Sequence, residues 1–418
     1  MKKFIYLCSF CSIITLNSVS LANDQTSVID MNSITSGLNK NKSAAQRSTV
    51  SQIRRNLQFS TFGNDYTDFK NFLSNQYGLD FSFDISYMGQ RGAPNGKNNA
   101  MQTIYYPSLT WTMMDNRYGT AILNAAYNSV KYGGISAEKL GNRLGTVTDI
   151  NDYNDPSYSF DELFISYQLG GKYDWLTLAV GQFPLYNFDG TAYDSNQQVN
   201  FINYALSQNA SSTYPTASLG SYVQIAPDDK WSFTFGAQDA TNITGSSIKT
   251  DHFDEKHYTS FASFSYTPTI SGLGSGQYSV MLYNQPAVKE QAETTNGWSF
   301  NLSQNFGEKL SLFARFNGVT GHTADINRSW VLGGVYNNPL DRNPLDQIGL
   351  AFAYNEIDEK AVGSTLAHES EKIIETYWAW GISKWMTITP DIQFYIDPAD
   401  NPKSDYATVF SLRTTFFF

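Results

Sequence analysis

Cysteine is almost absent: 418 residues contain two, Cys8 and Cys11. Both fall in a stretch laid out as a secretory signal, with Lys2 and Lys3, an apolar run from Phe4 to Leu16, and small residues Ser20 and Ala22 before a cut. Removal of residues 1–22 leaves a chain starting at Asn23 that has no thiol, which excludes disulfides and cysteine metal sites. No second apolar run is long enough for a helix to span a bilayer. Charge is scarce as well, at 16% of residues, and the formal balance of −10 argues against nucleic acid as a partner and assigns the acidic groups to solvated loops. The four histidines, His252, His257, His322 and His368, form no metal-binding spacing. There is no Gly-x-Ser-x-Gly, and Gly272-Leu273-Gly274-Ser275-Gly276 lacks the lysine and helix of a phosphate loop. The acidic run Asp149, Asn151, Asp152, Asn154, Asp155 misses the EF-hand spacing and reads as a solvated loop. No catalytic residue, metal or cofactor is expected, and the chain is not read as an enzyme.

Aromatic residues, by contrast, reach 15% while mean hydropathy is slightly polar at −0.35. That mixture suits a wall in which alternate residues face lipid and water. The closing segment is the clearest case: Tyr406, Thr408, Phe410, Leu412, Thr414, Phe416 and Phe418 fall on one side of an extended strand, and Ala407, Val409, Ser411, Arg413, Thr415 and Phe417 on the other. Similar alternation recurs sixteen times between residues 79 and 418. Connections after odd-numbered strands are long, notably 129–159 and 183–217, and those after even-numbered strands are mostly short, such as 170–173 and 227–229. Trp111, Trp175, Trp231, Trp378, Trp380 and Trp385 fall towards the short-turn ends, and Trp298 and Trp330 near the long-loop ends, as two interfacial girdles require. The expected fold is all-β: a transmembrane antiparallel barrel of sixteen strands at 79–418, wetted by outer-membrane lipid, with both barrel termini in the periplasm. A flexible periplasmic leader at 23–64 and a short helix at 65–78, with Asp65 as N-cap and Gly78 as stop, precede it.

The alternation also nominates lumen residues. In the fifteenth strand Ile388, Ile392, Phe394 and Ile396 face lipid and leave Asp391, Gln393 and Tyr395 inward; in the eleventh, Leu310, Leu312, Ala314 and Phe316 leave Arg315 inward. Arg413 joins them from the last strand, and Glu162 and Gln168 share a face of the fourth. A mid-membrane arginine facing lipid would cost about 2–4 kcal/mol, which fixes the inward placement. These groups are candidates for lining a channel, or equally for ion pairs that hold the wall. The connection 183–217 is the candidate for a loop folded into the lumen. Its Tyr186, Tyr193 and Tyr204 sit among amides, placed either to stack on a sugar or to pack the loop against the wall.

The run Glu375-Thr376-Tyr377-Trp378-Ala379-Trp380-Gly381-Ile382, the strand Thr389-Pro390-Asp391-Ile392-Gln393 leading to Asp397-Pro398, and the closing Phe410-Ser411-Leu412-Arg413 resemble the carbohydrate-selective outer-membrane porins of the OprB type. Weaker echoes are Asp161-Glu162-Leu163-Phe164-Ile165-Ser166-Tyr167 and Val180-Gly181-Gln182-Phe183. The resemblance implies a sixteen-stranded barrel with inward-folded loops and a narrow channel for sugars or similar small polar solutes. The leader departs from the family pattern, and an uptake porin or receptor for a siderophore or other scarce ligand is the alternative. Similarity to other outer-membrane proteins adds the expectations that trimers form and that barrel-assembly machinery reads the terminal phenylalanine.

Overall fold

The computed structural model describes residues 64–94, 99–250, 257–383 and 385–418; the expected signal segment, the expected leader up to residue 63, and His252 lie outside them. The chain forms β1 (Leu79–Ala93), β2 (Ala100–Asn116), β3 (Gly119–Gly134), β4 (Ser157–Leu169), β5 (Leu176–Phe183), β6 (Ser218–Ile225), β7 (Trp231–Asp239) and β8 (Tyr258–Tyr266). There follow β9 (Gly274–Gln285), β10 (Thr295–Phe306), β11 (Leu310–Val319), β12 (Ile326–Asn337), β13 (Gln347–Ile357), β14 (Ser370–Ser383), β15 (Met386–Ile396) and β16 (Tyr406–Phe417). A two-residue piece, Thr269–Ile270, pairs with the start of β9 inside a turn. Each strand runs antiparallel to the next, and β16 returns to β1 from Asp84 opposite Phe417 to Ala93 opposite Thr408. The result is a closed sixteen-stranded barrel, which leaves no unpaired edge to face lipid.

Period-two alternation decides which way each side chain points. In β16, Tyr406, Phe410 and Leu412 are more than half exposed on the outer face, while Ala407, Val409, Arg413 and Thr415 are sealed inside. The strands nearest the long connections run further than their side-chain pattern, β1 to Ala93 and β3 to Gly134. Backbone pairing such as Gly92 with Val409 and Gly133 with Met101 continues there without apolar alternation. One irregularity matters for the interior. Between the pairs Ala126–Glu162 and Asn128–Ser159 the fourth strand carries an extra residue, a bulge that turns both Asp161 and Glu162 inward.

Among the described residues four α-helices decorate the barrel: α1 (Asn64–Tyr77), α2 (Ala137–Leu144), α3 (Tyr204–Ser207) and α4 (Glu359–Val362). Helix α1 begins one residue before Asp65, so Asp65 lies within it rather than capping it. It ends at Gly78, whose φ of 65° is a left-handed stop; a Cβ there would meet the Thr112 carbonyl at 2.6 Å. Among the described residues no helix is long and apolar enough to cross a membrane.

The apolar core lies inside the barrel. Leu140 and Leu144 of α2 and Phe201 and Leu206 from the connection after β5 pack with Phe313, Val331, Tyr377 and Tyr395 of the wall. A second cluster joins Phe188 of the same connection to Phe183, Tyr222, Phe261 and Met281.

Candidate channel constriction

Two connections, 135–156 and 184–217, enter the lumen, and the inward-facing charges hold them there. The Arg413 guanidinium donates to the carbonyls of Gln197, Asn200 (2.8 Å) and Val199 (3.1 Å), and the Thr415 hydroxyl donates to that of Gln198 at 2.8 Å. Arg315 faces the Asp194 carboxylate at 3.0 Å with both side chains fully buried, donates to the Asp194 carbonyl, and is steadied by Asn301 Oδ1 at 3.1 Å. The opposite sign is used for opposite backbone groups: the Glu375 carboxylate accepts the amides of Ile202 (2.5 Å) and Asn203 (2.9 Å). A buried ion is stable only when paired and hydrogen-bonded, and here the loop backbone supplies much of that pairing.

The insertion 135–156 is held by the adjoining wall. Asn203 Nδ2 donates to the Tyr395 hydroxyl at 2.5 Å and to Gln393 Oε1 at 3.1 Å, while Gln393 and Tyr395 donate in turn to the carbonyls of Ile150 (3.0 Å) and Thr148 (3.3 Å). Glu371 accepts from the amides of Val147 (2.7 Å), Thr148 (2.8 Å) and Ala399 (2.7 Å). Asp391 is buried on the same wall, opposite Tyr377 of β14 and Ser411 of β16. Arg413, Asp391, Gln393 and Tyr395 are therefore gathered on one wall of the lumen, with Arg315 on β11 gripping the other flank of the loop.

Glu162 lies elsewhere, accepting Asn187 Nδ2 at 2.9 Å, with Asp161 beside it accepting the Tyr186 hydroxyl at 3.1 Å. Gln168 joins neither group; it sits at the short-turn end and donates to the Asp174 carbonyl at 2.5 Å. The loop tyrosines pack against their surroundings. Tyr193 accepts the Ser311 hydroxyl at 2.8 Å, and Tyr204 packs beside the inner core and lies 3.4 Å from Ser212 Oγ. Phe201 lies edge-on to Tyr377 with centroids 4.9 Å apart.

The acidic run at 149–155 differs in part from its sequence reading as a solvated loop: Asp155 is exposed, but the start of the run is drawn into the barrel, with Ile150 and Asn151 buried. Partial burial raises the carboxyls of Asp149 and Asp152 to about 7 each, against opposing hydrogen bonds from Asn154 and Ser207. Among the described residues no group of three His, Cys, Asp or Glu side chains is placed to hold a metal ion.

Opposite the charged wall, the inward positions of β6 to β9 are nearly free of charge. Gln224, Ser232, Thr234, Ser263, Ser265, Gln277 and Ser279 line a narrow recess roofed by Asn187, Phe188 and Gly190 of the inserted loop. Asn187 Oδ1, Gln224 Oε1 and Ser279 Oγ have no hydrogen-bond partner within the chain.

Several anchors escape the sequence reading. Glu375 was missed, although the outward faces of Ile374, Thr376, Trp378 and Trp380 would have placed it inward. Asp161 was hidden by the bulge, and Asp194 and Asn203 lie in a loop with no periodicity to orient them.

The model of the carbohydrate-selective porin, OprB family, matches residues 255–418. The chain is 38% identical over 322 residues to porin AaxA of Chlamydia caviae, covering 77% of this chain and 71% of that one. It is 38% identical over 342 residues to porin AaxA of Chlamydia pneumoniae, covering 79% and 77%. Among solved structures, the high-pH structure of Pseudomonas putida OprB superposes with a TM-score of 0.69 at 18% identity, covering 85% of this chain and 97% of that one; at that identity the likeness speaks for the fold alone.

Proposed function

The chain belongs to the carbohydrate-selective OprB porin family and is a bacterial outer-membrane channel for small polar solutes; we propose that those solutes are neutral and polyhydroxylated, sugars foremost, and that they move along the uncharged wall of β6–β9. One observation carries the reading. Of the ions nominated as lining, Arg315, Arg413 and Glu162 are engaged in holding the inserted loops, and Glu375 joins them. The wall left over offers amides and hydroxyls beside the ring of Phe188. Such groups replace the hydrogen bonds a neutral solute gives up with its water, and they attract ions of neither sign. The porin relatives favour a channel over an enzyme or a siderophore receptor.

The alternation of short turns and long connections supports a placement with the short turns and both barrel termini in the periplasm. The amino-terminal stretch supports export by a signal segment at 1–22, with residues 23–64 as a periplasmic leader. The terminal aromatic strand supports recognition by barrel-assembly machinery. Trimer formation is an assembly expectation for a barrel of this size, checked by crosslinking in native membranes.

Liposome swelling tests the solute class. Neutral sugars should enter at rates that fall with size, and a sugar acid and an amino sugar of equal size should both enter more slowly. Faster entry of either charged analogue, or no swelling from a folded barrel, refutes the reading.

A further inference from the structure

We infer that α1 is an interfacial helix whose aromatic arc lies in the lipid leaflet at the short-turn end of the barrel. The inference extends the outer-membrane placement and is independent of which solute passes. At 3.6 residues per turn, Phe72, Phe69, Leu73, Tyr66 and Tyr77 project from one arc, interrupted by Gln76, while Asp68, Asn71 and Asn75 project from another. The barrel covers only part of the first arc. Tyr66, Lys70 and Leu73 are half-buried towards β1, whereas Phe69, Phe72 and Tyr77 remain 49%, 52% and 55% exposed. Three neighbouring aromatic residues on one short helix call for an apolar environment that the barrel does not provide.

Lipid is the occupant because the helix is tied to the lipid-facing surface itself. The indole of Trp111, on the outer face of β2, donates to the Tyr77 carbonyl at 3.1 Å. The Lys70 ammonium lies 4.9 Å from the ring centre of Phe81, on the outer face of β1. Phe72 and Tyr77 meet edge to face at 5.7 Å, so the exposed arc continues the aromatic girdle that begins at Trp111. The sequence of α1 holds Asp65 and Asp68 against a single Lys70. Attachment is therefore apolar and is not an attraction to anionic headgroups.

The test uses the exported chain, which as processed has no other cysteine. Phe72→Cys, Phe69→Cys and, as the polar-side control, Asn71→Cys variants are spin-labelled and reconstituted in phospholipid vesicles, with folding checked by heat-modifiable migration. At positions 72 and 69 the ratio of collisions with oxygen to collisions with a nickel chelate should exceed that at 71 several-fold and should hold as salt is raised. Equal ratios at all three positions overturn the proposal. So does protection that vanishes when residues 23–63 are deleted, which would make the leader the cover, or spin–spin broadening at position 72, which would make it a second copy.

Discussion

Replacing Arg413 by Met keeps an unbranched apolar stem and removes the guanidinium donors, which isolates the grip of the wall on the inserted loop. The guanidinium serves three loop carbonyls, those of Gln197, Val199 and Asn200. Hydrogen bonds to charged groups contribute about 1.5–3 kcal/mol each and do not add fully, so docking of residues 197–200 should weaken by about 4 kcal/mol. At about 1.4 kcal/mol per decade that is nearly a thousandfold shift towards the undocked loop. The barrel should survive, because the ladder pairs of β16 with β15 and β1 are made by its backbone. In planar bilayers the variant should have a higher and noisier single-channel conductance than the parent. A folded Arg413→Met barrel with the parental conductance and the parental protease resistance at 197–203 would refute the account of Arg413 as a loop anchor.

Deleting residues 196–209, which include Phe201, Asn203 and α3, should raise conductance further, because the main contacts of the loop with β14–β16 go with them. The carboxyls of Asp149 and Asp152 are raised by burial, so the docked insertion binds protons more tightly than the free one. Its docking is strongest below about pH 4, the range of an unperturbed carboxylate, and is lost as pH rises through about 7. Hydrogen exchange at 147–152, corrected for the intrinsic rate, should therefore speed up between about pH 4 and 7 and level off above that, and much less so in Asp149→Asn. Gly297→Val would place a Cβ 2.0 Å from the Tyr283 ring, whose hydroxyl accepts the Thr213 amide at 3.0 Å; overpacking of this kind costs about 1–3 kcal/mol, read as a lower midpoint of urea unfolding in detergent. Removing residues 416–418 deletes the paired bonds of Phe418 with Phe83, at 3.2 Å each way, and the stack of Phe416 on Trp385. No heat-modifiable barrel should then form, while export is unaffected.

The fold was legible because its signal is local. A strand's alternation is set by neighbours two residues apart, so each segment declares its own lipid face, and the parity of the connections orders the strands. Glu375 went unassigned although the same rule, with Ile374, Thr376 and Trp378 facing out, places it inward. Where the backbone slips, the local rule fails: the bulge in β4 brings Asp161 in beside Glu162, and no residue type at 159–162 announces it. Solvation was the other failure, since the acidic run at 149–155 has the composition of an exposed loop yet its start lies under Gln393 and Tyr395, which bond the carbonyls of Ile150 and Thr148.

Residue type and periodicity alone thus determined that Tyr406–Phe417 is a strand with Leu412 towards lipid and Arg413 towards the lumen. What Arg413 does there was decided only by the tertiary structure. Its partners are carbonyls more than two hundred residues away in sequence, and those carbonyls become partners only once a loop without periodicity has entered the barrel. A charge on an inward face can meet water, a solute or folded backbone, and the desolvation balance among the three depends on what fills the lumen. That filling comes from two distant connections, which no alternation within the strand encodes.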